Sequence, residues 1–296
     1  VIDLPLSELP KEVARETATG AVRATESEWD KYTNYYYYNQ LDDSKKAAWD
    51  DLRAICETYA SGEKDVSHFY TNPNTGEVMG YLEPVTFSES LSKEELKQFW
   101  CMYVYANPQY YFLKNSLLQT TTKVDGTYNG LALVVYDAFW DGADRATATA
   151  AVKNQLAVWQ AEIDKCATDE AKLQTIQDII CAKVTYYKDA ANGLVDEKIS
   201  FSQSPYSVIC RDKTVCAGYA DTFSMLCNAS GIDAISVTSE GHQWNKARVN
   251  DSWYNFDLTW DDNYTDSWER PAYLYFGRSD EMFDTDLGYN TSSNIE

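Results

Sequence analysis

Between residues 44 and 62 the apolar positions Trp49, Leu52, Ile55, Cys56 and Tyr59 step by three and four. That is the period of an amphipathic helix. Ser44-Lys45-Lys46 reads as its start and Ser61-Gly62 as its stop. Ser27-Glu28-Trp29 reads as an earlier start, so the stretch from Ser7 to about Gly62 is expected to be helical and polar, with the run Tyr35 to Tyr38 packed among neighbours. The pattern then breaks. Glu63 to Pro84 reads as loop around the turn cluster Thr71-Asn72-Pro73-Asn74-Thr75-Gly76, a candidate boundary or linker, and His68 beside it is assigned no role. Ser92, with Glu95 three residues on, has the capping-box spacing and opens a helix through Leu96, Phe99, Trp100 and Tyr103 that stops before Pro108. Residues 117–122 and 131–139 read as two strands around Asp125-Gly126 or as helix ends. Two helices follow, at 143–165 and 169–187, the second with Leu173, Ile176, Ile179, Ile180 and Val184 on its apolar face. The last pattern is a helix starting near Cys216, with Tyr219, Phe223 and Leu226 in period and Gly231 as its stop, then strands at 232–237, 242–249 and 252–260. There is no internal repeat and no low-complexity tail.

Length and composition bound this picture. With 296 residues, 44% hydrophobic and 24% charged, the chain suffices for one large or two small domains with a core that needs no disulfide staples. The divide is expected at about residue 80. The most apolar run, Leu131 to Trp140, is interrupted by Asp137 and falls short of the roughly 18 to 20 residues a membrane span requires. A net charge of −21 and a pI near 4.4 repel phosphate backbones and anionic lipid, which argues against nucleic-acid and membrane partners. Seven cysteines occur without C-x-x-C spacing and with only two histidines, so no zinc or other metal site is expected, and the pairing of the thiols is left open. Asp261-Asp262-Asn263-Tyr264-Thr265-Asp266 lacks the glycine and terminal glutamate of a calcium loop and reads as a solvated acidic turn. The chain opens on Val1 instead of Met, which is read as a removed leader and an extracellular or cell-surface location. Its 23 Tyr and 9 Trp suit a surface that meets peptides or glycans.

The chemistry concentrates between residues 214 and 260. A cysteine on the first turn of a helix faces unpaired N–H groups and the positive end of the dipole, an environment that favours thiolate. Cys216 has that position, and Gly218 allows another chain segment or a substrate to approach closely. Asn250-Asp251 tolerates the positive φ of a two-residue hairpin turn. With that turn Val249 pairs with Ser252, His242 falls opposite Thr259 and Trp244 opposite Asp257. Alternation then puts His242 and Asp257 on one face as diagonal neighbours, and Ala247, Val249, Tyr254, Phe256 and Leu258 on the other, apolar one. Nucleophile, base and orienting carboxylate are the parts of a thiol acyl-transfer site.

At these residues the chain resembles the transglutaminase-like (transglutaminase-core) superfamily, especially its bacterial members. The resemblance is carried by Val215-Cys216-Ala217-Gly218-Tyr219-Ala220, by His242-Gln243-Trp244-Asn245, and by Trp253-Tyr254-Asn255-Phe256-Asp257-Leu258-Thr259-Trp260. It covers about 176–276 within a domain taken as 81–296 and leaves residues 1–80 as a helical region of unassigned role, either an inhibitory prosegment or a docking module. The resemblance implies Cys216 as nucleophile, His242 as base and Asp257 as orienter. It also implies an α+β, papain-like fold with the cysteine helix packed on an antiparallel sheet. The 26 residues from Cys216 to His242 favour this branch over papain-type proteases, which separate the pair by more than about 100.

The Cys216 backbone N–H is expected as one oxyanion donor, with Gln203 and Tyr206 as candidates for the other. Trp244, and with it Trp253, shares the His242/Asp257 face as a candidate substrate contact. No cofactor is expected. The implied activity is cleavage or transfer at amide bonds of a peptide or protein substrate, including cell-wall or surface peptides. The alternative is a catalytically inactive binding module on the same fold.

Overall fold

The computed structural model describes residues 27–119, 126–196, 201–239, 241–265 and 273–286. Residues 1–26, the start of the expected helical region, lie outside them. A short helix α1 (Tyr36–Asn39) seats Tyr37 fully inside, its hydroxyl donating to the Ser236 carbonyl at 2.7 Å. The next helix, α2 (Asp43–Ala60), is capped by Asp42 in place of Ser44: the carboxylate accepts the Lys45 N–H at 2.9 Å. It buries Trp49, Leu52, Cys56 and Tyr59, the face its period predicts.

The stretch expected to be a linker is a hairpin. Strands β1 (His68–Thr71) and β2 (Val78–Tyr81) pair antiparallel, and the turn cluster is the hairpin's own turn. The strands around it are short and β1 is mostly exposed, so no alternation marked them. β3 (Val85–Leu91) precedes α3 (Lys93–Ala106), which opens on Ser92 with both halves of the capping box, at 3.2 and 2.8 Å. β4 (Leu113–Gln119) and β5 (Tyr128–Val135) resolve the choice between strands and helix ends in favour of strands. The Asp125 end of their connection lies outside the described residues. β5 pairs with β2, β3 and β4 in a five-stranded sheet, and its unbroken run from Leu131 to Val135 is buried throughout. The divide expected near residue 80 therefore falls inside a paired strand, and one apolar core runs from Trp29 to Phe283.

Two capped helices, α4 (Gly142–Ile163) and α5 (Asp169–Lys183), lead to β6 (Thr185–Tyr186), α6 (Lys188–Ala191), α7 (Pro205–Cys210) and β7 (Lys213–Thr214). Helix α8 (Cys216–Ala229) is buried at every position from Ala217 to Cys227. It is sandwiched between α4, α5 and α7 and the strands β8 (Ala234–Ser239) and β9 (His242–Val249). A helix covered all round needs apolar or small residues on all faces, and α8 has them.

β9 turns into β10 (Ser252–Phe256) through Asn250 and Asp251 at φ +51° and +65°, in the register the sequence predicts, Val249 opposite Ser252. With β11 (Phe276–Arg278) the order is β11-β10-β9-β8. The third strand is shorter than expected. The chain leaves the sheet after Phe256 and enters α9 (Leu258–Thr265), so His242 has no ladder partner at Thr259 and pairs with Ser239. Both faces of β9 are covered, not one. The architecture is α+β, with the Cys216 helix packed on an antiparallel sheet. No helix among the described residues is long and apolar enough to cross a membrane.

Candidate active site

Three segments meet at the N-terminus of α8. Its cap, Val215, makes no side-chain hydrogen bond to the first turn, so no side-chain cap occupies those N–H groups. The entry is held by a parallel bridge, Thr185 to Lys213 and Tyr186 to Thr214, and by the Ser202 carbonyl, which accepts from Val215 N–H at 3.2 Å and Thr214 Oγ1 at 3.1 Å. Gly218 is where α7 and β7 come closest. A Cβ there would lie 1.9 Å from Thr214 Oγ1 and 2.9 Å from Ser207 Oγ, so the approach it permits is that of the chain itself.

His242 stands at the start of β9 and Asp257 just past the end of β10, and their side chains meet: Nε2 to Oδ2 is 2.5 Å. The missing strand end explains the contact. Asp257 caps α9, its Oδ1 accepting the Trp260 N–H at 3.1 Å, and this fold-back carries the carboxylate to the imidazole directly instead of across a ladder diagonal. Asp257 is 1% exposed, while Cys216 and His242 are half-buried. Burial opposes a charge on His242. The Asp257 charge and hydrogen bond, together with a hydrogen bond to the Cys216 side chain, outweigh it and raise the imidazole to about 10. The arrangement thus brings the side chains of Cys216, His242 and Asp257 together.

The motif residues around them have structural work. Trp244 is 1% exposed, lies parallel to the His242 ring at 6.0 Å and donates its indole N–H to Asn255 Oδ1 at 2.9 Å, so it backs the histidine and does not line an open cleft. Asn245 ties β9 to α8 through the Ala220 carbonyl and Ser224 Oγ, both at 2.9 Å. Trp253 packs on Tyr36 at 5.2 Å. Tyr206 is turned into an aromatic cluster, stacked on Tyr111 at 5.4 Å and against Phe139 and Phe201. Gln203 lines a narrow cleft beside Ala217 and Gln243, the neighbours of Cys216 and His242.

Sequence reasoning missed three aromatics. Burial raises the hydroxyls of Tyr105, which lines the same cleft as Gln203, and of Tyr186, which sits in the bridge to Thr214 that holds the α8 entry. Trp260, 45% exposed, meets the His242 ring edge-on at 6.3 Å. Trp260 has its place in the last motif, and Tyr186 opens a stretch, Tyr186-Tyr187-Lys188-Asp189, that also resembles the superfamily; Tyr105 carried no signal. The acidic stretch after it is corrected as well: Asp261 is fully buried, accepting from Tyr275 N–H at 2.9 Å and Gln177 Nε2 at 2.8 Å, and Asp262 accepts from Tyr219. Asp266 lies outside the described residues.

Residues 157–258 match the model of the transglutaminase-like superfamily. The similarity covers about a third of the chain, from within α4 to the start of α9. Among solved structures, a TGase covers 81% of the chain at 14% identity with a TM-score of 0.36, and this chain spans 63% of its length. A candidate cysteine protease from Cytophaga hutchinsonii matches 66% of this chain and 70% of its own at 14% identity and a TM-score of 0.30. The periplasmic domain of TgpA from Pseudomonas aeruginosa matches 70% and 76% at 12% identity and 0.29. No curated protein sequence matches. The family match ends one residue after Asp257, so it spans Cys216, His242 and Asp257 and leaves the first sheet and all of α9 beyond Leu258 outside.

Proposed function

We propose that the protein is a thiol enzyme that breaks amide bonds of peptides or proteins through an acyl-thioester on Cys216, with His242 as base and acid and Asp257 as its orienting partner. The observation that carries this is the 2.5 Å contact of His242 with a buried Asp257 beside the half-buried thiol. The sulfur adds to the acyl carbon and His242 protonates the departing amine, leaving thioester and free amine. Water or a second amine then attacks the thioester with His242 taking its proton, and the sulfur leaves as thiolate. Water makes the enzyme a peptidase or amidase, an amine makes it a transamidase; we favour hydrolysis. First-turn N–H groups of α8 face the developing oxyanion. An extracellular or cell-surface site of action belongs to the same proposal. Residues 27–80 contribute α2, β1 and β2 to the shared core, which favours an integral part of the domain over a removable prosegment.

The test is the rate of iodoacetamide alkylation at Cys216 against pH, read by peptide mass spectrometry because Cys166 and Cys210 are also partly exposed. The reading expects labelling at pH 6 at least about tenfold faster than a free thiol of pKa about 8.5, lost in His242→Ala. An ordinary thiol profile would favour the inactive binding module.

A further inference from the structure

The cleft lined by Ala217 and Gln243, the chain neighbours of Cys216 and His242, has a floor that the acyl-transfer reading does not use. It runs between the C-terminal end of α3, the Gln203–Pro205 turn and the flank of α8, and Asp221 lies in its lining with Tyr105, Asn107 and Gln243. Asp221 is 9% exposed. Both of its hydrogen bonds fall on Oδ1, from Gln243 Nε2 at 2.6 Å and Ser236 Oγ at 3.4 Å. Oδ2 accepts none among the described residues. Lys114 also lines the cleft, but its ammonium is held by Glu77 at 3.2 Å.

We propose that this cleft is a cation subsite in which Asp221 Oδ2 receives the ammonium or guanidinium of a basic residue close to the acyl group presented to Cys216. The proposal rests on the acyl-transfer reading and adds its substrate class: peptides with Lys or Arg adjacent to the scissile bond. A buried carboxyl with one satisfied and one open oxygen is costly to ionise alone and cheap to ionise against a cation. Burial pushes Asp221 up to about 8 against the two hydrogen bonds, so at neutral pH the carboxyl surrenders its proton as the cation arrives. A net charge of −21 draws such substrates in, but does not select where the charge sits.

The test needs no turnover. Full-length protein is treated with 2-aminoethyl methanethiosulfonate, which carries an ammonium, and with its neutral propyl analogue, and the rates at Cys216 and Cys166 are read separately. The cation-to-neutral rate ratio at Cys216 should exceed that at Cys166, which lies outside the cleft, and should fall about tenfold in Asp221→Asn. A ratio at Cys216 no higher than at Cys166 in the unaltered protein overturns the proposal even if the variant does not fold. A ratio unchanged by Asp221→Asn overturns it as well. The acyl-transfer reading fails on a different observation, a neutral-reagent rate at Cys216 that does not depend on His242.

Discussion

Asp257 holds His242 with one oxygen and caps α9 with the other, so two substitutions separate the roles. Asn caps a helix about as well as Asp. Asp257→Asn should therefore keep the cap but give up the charge paired with His242, lowering the melting temperature at pH 6 and slowing Cys216 alkylation there by about tenfold or more, because the charge that raises the imidazole is gone. Asp257→Ala should add a stability loss of about 1 kcal/mol through the missing cap. Equal labelling in Asn and wild-type proteins would remove Asp257 from the site. Trp244 offers a second separation. Trp244→Phe keeps a ring behind His242 but leaves Asn255 Oδ1 without the indole N–H, at a cost of about 1 to 3 kcal/mol in denaturant unfolding. The stacking ring remains, so the labelling rate should change less than in Asp257→Asn.

At the scale of elements, the position of Cys216 depends on how closely α8 approaches α7 and β7. Gly218→Ala places a methyl within 1.9 Å of Thr214 Oγ1, a buried group that already bridges Ser207 and the Ser202 carbonyl and has little room to move. The helix must shift, and the expected result is a loss of more than about 2 kcal/mol in unfolding free energy with slower labelling at Cys216. The elements legible in the sequence were those fixed by local signals: the period of α2, α3, α5 and α8, the capping box of α3, and the Asn250-Asp251 turn that set the β9–β10 register. Pattern alone could not place what tertiary contact decides. β1 and β2 are strands because β5 offers an edge. Leu258 to Thr265 is helical because Asp257 caps it, although Leu258 and Trp260 continue an alternation that reads as strand. The same split holds at the site. Cys216, His242 and Asp257 lie close in sequence on motif-bearing segments. Tyr105 lines the cleft from α3, and nothing in its own neighbourhood foretells it.

Over the whole molecule, buried acid groups and the charged histidine act in one direction. Burial raises Asp221 and Asp261 to about 8 from an ordinary value of 3.8, against the hydrogen bonds that each accepts. A carboxyl that holds its proton more tightly when folded stabilises the fold fully below 3.8, and that contribution drains away as pH rises toward 8. His242, raised to about 10 from 6.5, gives stability that is complete below 6.5 and lost as pH climbs through 10. The exposed carboxylates of Asp42 and Glu95 run the other way, since caps and Lys45 lower them, but they are solvated and matter only below their unfolded values near 4. A formal charge of −21 adds self-repulsion that grows over the same range. The melting temperature should therefore peak near pH 5 and fall by about 5 to 10 °C by pH 9. Asp261→Asn should flatten that fall, because an amide can still accept from Tyr275 N–H and has no proton to lose. Scanning calorimetry from pH 4 to 9 reads both curves. A melting temperature that rises from pH 5 to 9 would mean that the buried carboxyls are ionised in the native state.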